Sequence, residues 1–239
     1  MAGERVARVW ARIAAAQQGG GPVSVAALCR AAARWLGVDG ASVTVVSGRG
    51  ARERLFASDE LSARLEELQF ATGEGPGDGD FGFGSPMLVP DLALVAARWP
   101  GFVSAAVAAG ARAVFAFPLQ AGAIRVGVLS LYRAQPGPLT PAELADTLVF
   151  AGFALQMVLD GVAGISGSPE YRPLDGLQDS RAEVYQATGM ISAQLGVSLE
   201  EAFARLRAHA FAAGAPLGEV ASDVVSRKLR LRRDPRPPP

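Results

Sequence analysis

Two residue types that occur once each, as Cys29 and His209, limit the chemistry that this chain can perform. Disulfide frameworks and zinc clusters need several such side chains, and the common cysteine–histidine and serine–histidine catalytic arrangements need a histidine beside the nucleophile. Cys29 lies in an apolar helical segment, where a thiol is usually inert packing. We therefore predict that the protein is not an enzyme, and its sequence identifies no cofactor and no metal site.

The glycine-rich stretch GEGPGDGDFGFG, residues 73–84, could in principle hold a phosphate group through its backbone amides. It contains Glu74, Asp78 and Asp80 but neither lysine nor arginine, and it does not lead from a strand into a helix. Repulsion between these carboxylates and a phosphate disfavours that site. A flexible lid or a plain connection is the favoured interpretation.

Aromatic residues in the N-terminal two thirds of the chain could line a pocket for a small molecule. Core packing uses the same residue types and is the commoner role, so the pocket is a hypothesis and no residue identifies its ligand. The candidates are Trp99, Phe102, Phe115, Phe117 and Tyr132.

Gly189 stands in the middle of a segment whose apolar spacing predicts a helix. A glycine inside a helix costs about 1 kcal/mol relative to alanine. The missing side chain has two possible uses: a close crossing between helices, or a ligand that approaches the backbone. Spacing alone favours the crossing.

Charge is balanced over the whole chain but not along it. Lys+Arg and Asp+Glu both number 23, whereas from Phe203 to the C-terminus eight residues are basic and three are acidic. This gradient permits a polyanionic partner without requiring one.

Residues 1–165 are predicted to form an α+β domain. Two amphipathic helices precede two strands, ASVTVVSG and RERLFAS, and then come a helix, LSARLEELQ, and a short strand, MLVPDL. A helix ending near Gly110 precedes two strands in ARAVFAFPLQAGAIRVGVLSLY, and a long helix from about Thr140 to Leu159 closes the domain. Hairpin-linked strands mixed with helices indicate an antiparallel sheet flanked by helices.

The C-terminal part is predicted to be all α-helical. Residues 166–176, SGSPEYRPLDG, are rich in turn formers and are predicted as a linker, and residues 232–239 as a disordered tail. Between them, residues 177–231 predict a three-helix bundle with helices from about Leu177 to Leu195, from Leu199 to Ala213 and from Pro216 to about Arg230.

The sequence of this bundle also predicts its packing. Val184, Ala187, Ile191 and Leu195 form the apolar stripe of the first helix, and Ser198 with Glu201 makes a capping-box pattern before the second. A bundle of about 55 residues has a thin core, which favours a dimer partner.

The run QATGMISAQLGVSLEEAFARLRAHA, continued by PLGEVASDVV, resembles the ANTAR domain, a small helical RNA-binding module of bacterial transcription antiterminators. The resemblance covers about residues 177 to 229. The upstream segments LEELQFATGEGP, LVPDL, RWPGF and VFAFPLQAGAIRVGVLSLYR look like the GAF sensor domain that accompanies ANTAR in one actinobacterial architecture. Residues at the ANTAR family's spacings are Ala187, Gly189, Ala202, Leu206, Arg207, Ala221 and Val224.

This resemblance implies a homodimer that binds paired short hairpins in nascent RNA, so that a terminator does not form and transcription continues. Ala187 and Gly189 would form the surface that RNA approaches closely, and Arg207 would supply a charged contact, since its planar fork can pair with phosphate or stack on a loop base. Thr188 stands where many family members have lysine, so one positive contact is missing. Weaker candidates, chosen on physical grounds, are Gln186, Arg205, His209, Arg227 and Lys228.

The two resemblances together imply a cytoplasmic regulator in which the first domain senses an unknown small molecule or partner and biases RNA binding by the second. The apolar helix ELADTLVFAGFALQMVLDGV suits a dimer interface, and neither a signal peptide nor an uncharged membrane span is recognised. Two alternatives stay open: a dimeric signalling or protein-interaction scaffold that binds no nucleic acid, and a DNA-binding regulator.

Overall fold

The structure is a computed structural model that describes residues 2–19, 21–46, 52–77, 85–122, 124–162 and 177–231. The chain divides into two compact units, residues 1–171 and 172–239. The predicted linker, the predicted tail and residues 78–84 of the glycine-rich stretch lie outside the described residues.

The N-terminal unit has five helices and five strands among its described residues. The helices are α1 (Ala2–Ala15), α2 (Val25–Trp35), α3 (Glu60–Thr72), α4 (Pro100–Ala108) and α5 (Pro141–Val162), and a short 3-10 helix spans Leu92–Val95. The strands are β1 (Gly40–Val46), β2 (Arg52–Ala57), β3 (Met87–Val89), β4 (Ala113–Ala121) and β5 (Ile124–Arg133).

The five strands form one antiparallel sheet in the order β2-β1-β5-β4-β3. Strand β1 pairs with β5 through Ser42 opposite Ser130, and β5 pairs with β4 through Leu131 opposite Phe115. Side chains alternate between the two faces of a strand, so each face of the sheet presents every second residue. The fold class predicted from the sequence is therefore confirmed for this unit.

Two apolar clusters lie on opposite faces of the sheet. One face packs on α1, α2 and α5, with Phe115, Leu129 and Leu131 buried against Leu28 and Phe150. The other face packs on α3 and α4, where Tyr132 and Val114 join Leu65, Trp99 and Phe102. The sheet is thus a middle layer with helices on both sides.

Helix α5 belongs to this packed unit. Among the described residues it is the one helix long and apolar enough to cross a membrane, by length and composition alone. Its Phe150, Ala154 and Val158 are buried against the sheet. Its Asp146 accepts hydrogen bonds from Arg5, Arg8 and Arg12 of α1, at 2.7, 3.0 and 3.3 Å. These contacts fix α5 on the sheet and on α1.

The described residues of the C-terminal unit form three helices: α6 (Leu177–Leu195), α7 (Leu199–Ala213) and α8 (Leu217–Val225). Gly196 and Gly214 follow α6 and α7 with φ values of 65° and 61°. This left-handed conformation commonly ends a helix, and glycine adopts it without the steric cost of a Cβ atom. The predicted ends of these two helices are confirmed. The core is built from Val184, Ala187, Ile191, Leu195, Ala202, Leu206, Ala210, Leu217, Val220, Ala221 and Val224.

Two local predictions for this unit need correction. Helix α8 ends at Val225, not near Arg230, because Arg227 takes a left-handed φ of 61° and the amides of Lys228 and Leu229 both donate to Asp223 O. Half of the predicted capping box forms: the Glu201 amide donates to Ser198 Oγ at 3.1 Å. The Glu201 carboxylate accepts instead from Arg205, at 2.8 Å.

Candidate nucleic-acid interface

Helix α6 has a buried face and a solvent-facing stripe. Its buried face carries Val184, Ala187, Thr188, Ile191 and Leu195. With 100° of rotation per residue, Gly189 falls on the opposite side, among neighbours one or two turns away. Those neighbours, all exposed, are Ala182, Tyr185, Gln186 and Ala193. We call Ala182, Tyr185, Gln186, Gly189 and Ala193 the α6 stripe.

Ala187 and Gly189 do not form one surface. Ala187 has no exposed area, so its methyl group is packing and its expected place on a close-approach surface is corrected. Gly189 differs: a Cβ placed there would meet no heavy atom within 4 Å outside the backbone of its own helix. No neighbouring helix of the described unit therefore requires a glycine at this position.

Thr188, which stands where lysine is frequent in the family that the sequence resembles, points into the unit. It is 6% exposed, and its hydroxyl donates to Val184 O at 2.7 Å. The hydroxyl proton is committed to the preceding turn and the side chain is buried, so Thr188 has no hydrogen-bond donor to offer a ligand. This chain therefore offers a packed residue here and no surface cation.

The two arginines of α7 lie on opposite flanks of the helix. They are two residues apart, which is 200° of rotation, so the buried stripe of Ala202, Leu206 and Ala210 separates them on one side. The Arg205 guanidinium pairs with Glu201 at 2.8 Å, and its buried Nη1 has no hydrogen-bond partner among the described residues. His209, half-buried, follows Arg205 by one turn on the same flank.

Arg207 is the more available cation of α7. Its guanidinium carbon lies 4.4 Å from the centroid of the Phe203 ring, a stacked cation–π arrangement. In the part of the chain that the structure describes, Arg207 forms no ion pair. No carboxylate of the described residues is therefore paired with its charge.

Arg227 and Lys228 lie in the turn after α8 and not on a helix. Both are exposed, and Lys228 Nζ is 3.8 Å from Asp223 Oδ1. An exposed pair at this distance contributes little stability, so the ammonium group stays accessible to another anion.

The sequence candidates thus fall into separate groups. The structure places Gln186 and Gly189 together on the α6 stripe, Arg205 and His209 on one flank of α7, and Arg207 on the other. It adds Tyr185, which the sequence analysis missed. Tyr185 lies one turn before Gly189 on the same stripe and is 36% exposed. The helical spacing of Tyr185 and Gly189 could have found this aromatic side chain.

In the N-terminal unit, the five aromatic candidates for a pocket do not face one space. Phe115 and Phe117 are buried on the face covered by α1, α2 and α5. Trp99, Phe102 and Tyr132 are buried on the face covered by α3 and α4. The hypothesis of a single aromatic-lined pocket is corrected, because alternate residues of a strand point to opposite faces.

Tyr132 and Asp59 join β5 to the start of α3. Asp59 is the N-cap of α3, and its carboxylate accepts from the Ser62 amide at 2.9 Å and from the Tyr132 hydroxyl at 2.5 Å. Burial raises the pKa of Asp59, but hydrogen bonds from Ser58, Ser62 and Tyr132 oppose it and leave the pKa below its usual value. The Tyr132 hydroxyl is thereby committed to the fold.

A buried polar cluster lies on the α3 face of the sheet, and the sequence analysis did not identify it. Glu66 of α3 accepts from Ser42 Oγ at 2.8 Å and from Thr44 Oγ1 at 2.9 Å, both on β1. One turn later, Gln69 Oε1 accepts from the Gly77 amide at 2.6 Å. Ser130, opposite Ser42 on β5, is also buried. These side chains form a buried polar group inside a layer that is otherwise apolar.

Glu74, the first acidic residue of the glycine-rich stretch, has a structural role. Its Oε2 accepts from the amides of Gly101 and Phe102 at 2.8 and 3.0 Å, in the first turn of α4. A carboxylate at a helix N-terminus satisfies free amides and complements the helix dipole. This end of the stretch therefore supports α4.

Comparisons with known proteins assign the C-terminal unit. Residues 176–225 match the family model of the ANTAR domain. No curated protein sequence matches the chain. The chain is similar in fold to a domain of a two-component sensor histidine kinase from Sinorhizobium meliloti 1021, at 21% identity, covering 59% of this chain and 94% of that chain, with a TM-score of 0.46. It is also similar to the phycoerythrobilin-bound GAF domain of a cyanobacterial phytochrome, at 14% identity, covering 67% of this chain and 98% of that chain, with a TM-score of 0.40.

The family match covers all of α7 and α8 and the whole α6 stripe. Upstream of this match lies the five-stranded antiparallel sheet, with helices on both of its faces. The chain carries an ANTAR domain at residues 176–225, downstream of an α+β unit with a five-stranded antiparallel sheet.

Proposed function

We propose that this protein is a cytoplasmic transcription antitermination regulator whose C-terminal unit binds hairpin RNA. The observation that carries the proposal is Gly189 on an open stripe inside the ANTAR match. A mid-helix glycine costs about 1 kcal/mol relative to alanine, and no packing contact with the described residues of the unit offsets that cost. The missing side chain leaves room for an RNA backbone or a loop base to approach the helix closely, and this contact would offset the cost of the glycine.

The surroundings of Gly189 suit this partner. The Gln186 amide can donate and accept hydrogen bonds with base edges, and the Tyr185 ring can stack on an unpaired base. Arg207, without an ion pair among the described residues, supplies a positive charge for the phosphate backbone. RNA loops expose unpaired bases and backbone together, which fits a mixed surface better than a rigid duplex does.

We further propose that the protein acts as a homodimer through α1 and α5. Trp10 and Leu148 are 42% and 52% exposed, and the Trp10 ring contacts Phe153 with centroids 5.1 Å apart. Gly152, one turn after Leu148, leaves open space above α5. Large exposed apolar side chains beside a helix position without a side chain favour burial of this surface against a second copy of the chain.

The N-terminal unit is proposed to sense a small molecule and to change RNA binding. The polar cluster around Glu66 is the favoured place for recognition, because its hydroxyl groups could exchange internal hydrogen bonds for bonds to a ligand. A ligand regulates only if it binds one conformation of the protein better than another. Binding would therefore appear as a shift in both unfolding temperature and RNA affinity.

Crosslinking in the native cell tests the RNA proposal. RNA crosslinked to the full chain would be recovered and sequenced, with an Arg207→Ala variant in parallel. The matched control is Arg98→Ala, which removes an arginine stacked 4.8 Å from the Trp99 ring in the other unit. We expect enrichment of paired hairpins with the natural chain and with Arg98→Ala, and reduced recovery with Arg207→Ala. Equal recovery from all three proteins would remove Arg207 from the site.

A dimeric scaffold without nucleic-acid binding is the second candidate, and the exposed apolar side chains of α1 and α5 favour it equally. The same experiment separates the two functions. A folded, dimeric chain that recovers no RNA above the level of an unrelated protein would support the scaffold.

A further inference from the structure

An aromatic and cationic row runs along one flank of α7. Phe203, Arg207 and Phe211 occur at every fourth position, and residues four apart are neighbours on a helix surface. Arg207 stacks over the Phe203 ring, with its guanidinium carbon 4.4 Å from the ring centroid. Phe211, at the end of the row, is 80% exposed. We call these three residues the α7 row.

The Phe211 ring takes no part in the core of the described unit. The core side of α7 carries Ala202, Leu206 and Ala210, and the Phe211 ring makes no ring or cation–π contact in the described chain. Covering a large apolar ring removes its surface from water, which is favourable. The Phe211 ring is therefore available to a partner.

The charge around the row indicates the chemistry of that partner. No acidic residue occurs between Ala202 and Pro216, and Arg207 has no ion pair in the part of the chain that the structure describes. The nearest acidic residue of α7, Glu201, is paired with Arg205 on the other flank. A polyanion would meet an unopposed positive charge between two aromatic rings.

We propose that Phe211 and the Phe203-supported guanidinium of Arg207 form a platform on which unpaired bases of an RNA hairpin loop stack. This proposal rests on the proposed RNA-binding function and adds two residues, Phe203 and Phe211, that neither the sequence nor the family match assigned. Aromatic rings and guanidinium planes both stack on bases, and every base has a face to offer. The Phe203 ring contacts the guanidinium from one side, and a base would cover the guanidinium from the side away from that ring.

Substitution at Phe211 tests the platform. Fluorescence anisotropy would measure the affinity of the full chain for a tandem-hairpin RNA, with Phe211→Ala, Phe211→Leu and Phe211→Tyr in parallel. We expect Phe211→Ala and Phe211→Leu to weaken binding by roughly 5- to 150-fold, as for loss of one stacked base, and Phe211→Tyr to bind like the natural chain. Leu199→Ala, which removes another exposed apolar side chain from α7, is the matched control and should not change affinity.

A base analogue reports stacking directly. With 2-aminopurine in the loop, fluorescence should be quenched on binding to the natural chain and to Phe211→Tyr, and much less on binding to Phe211→Leu. Phe211→Leu binding as tightly as the natural chain would overturn the platform, because a leucine contact is apolar but cannot stack. Conversion of a dimer to a monomer by Phe211→Ala would also overturn it, since the ring would then contact a second copy.

Failure of the platform and failure of the proposed function give different results. If the natural chain binds hairpin RNA and Phe211→Ala binds equally well, the platform is wrong and the RNA-binding function stands. If the natural chain binds no hairpin RNA, both are wrong.

Discussion

Ala187 and Gly189 are two residues apart in α6 and have opposite environments: Ala187 is fully buried, whereas Gly189 opens to empty space. The helical rotation of 200° between them explains the difference. One residue serves the core of the unit and the other serves its surface. Substitutions at the two positions should therefore have opposite effects on stability.

Gly189→Ala should stabilise the C-terminal unit and weaken RNA binding. Gly189 has an ordinary helical conformation and open space for a methyl group, so alanine should raise the free energy of unfolding by about 1 kcal/mol. The added methyl group would hold RNA away from the backbone. Denaturant unfolding followed by circular dichroism, together with an RNA titration, measures both effects.

Gly161→Ala in α5 is the control for that variant. Gly161 is also an open helical glycine of the N-terminal unit, and 180° of helical rotation separates it from Gly152 of the proposed dimer face. This substitution should not lower RNA affinity. If Gly189→Ala binds RNA as well as Gly161→Ala does, close approach at Gly189 is wrong.

Ala187→Leu should destabilise the same unit. Ala187 has no exposed area, and the extra methylene groups would overpack the three-helix core at a cost of about 1–3 kcal/mol. Ala182→Leu, on the α6 stripe, should change the free energy of unfolding by less than about 0.5 kcal/mol. Equal stability of the two variants, measured by thermal unfolding, would contradict the burial of Ala187.

Cys29 should not react with thiol reagents in the folded protein. It is fully buried in α2, and burial raises the pKa of its thiol far above the usual value. Alkylation depends on the thiolate, so labelling by iodoacetamide should require unfolding. Mass spectrometry of native and denatured samples measures this difference. Rapid labelling of the native protein would place Cys29 at an accessible site.

Acid should destabilise the N-terminal unit through Asp59. The folded pKa of Asp59 is lower than its unfolded pKa, so its contribution is present above the unfolded value of about 4 and is lost as pH falls through the folded pKa. Asp59→Asn keeps an N-cap and removes the titration. Its unfolding free energy should therefore depend less on pH below about 4. Glu143, whose pKa is also lowered, leaves part of the slope in place.

Unfolding measured from neutral to acidic pH checks this expectation. An Asp59→Asn curve parallel to that of the natural chain would show that Asp59 does not stabilise the folded state through its charge.

The sequence predicted the elements better than their surroundings. Helices α6 and α7 end where glycines follow them, whereas α8 ends at Val225, two residues before the left-handed Arg227, and no sequence signal marks that end. The apolar stripe already contained Ala187, so its burial follows from helical spacing, and only the family resemblance suggested a surface role. The contact between α3 and β1 could not be predicted from the sequence. Ser42 and Thr44 alternate with valines, a pattern typical of a strand with one face in solvent, yet Glu66 covers them.

Titration of the full chain with a tandem-hairpin RNA at several salt concentrations tests the central claim most directly. We predict saturable binding that weakens steeply as salt rises, because cations such as Arg207 contact phosphates. Duplex DNA should compete poorly with the hairpin RNA. Absence of binding by a folded chain, or equal competition by duplex DNA, would contradict the account.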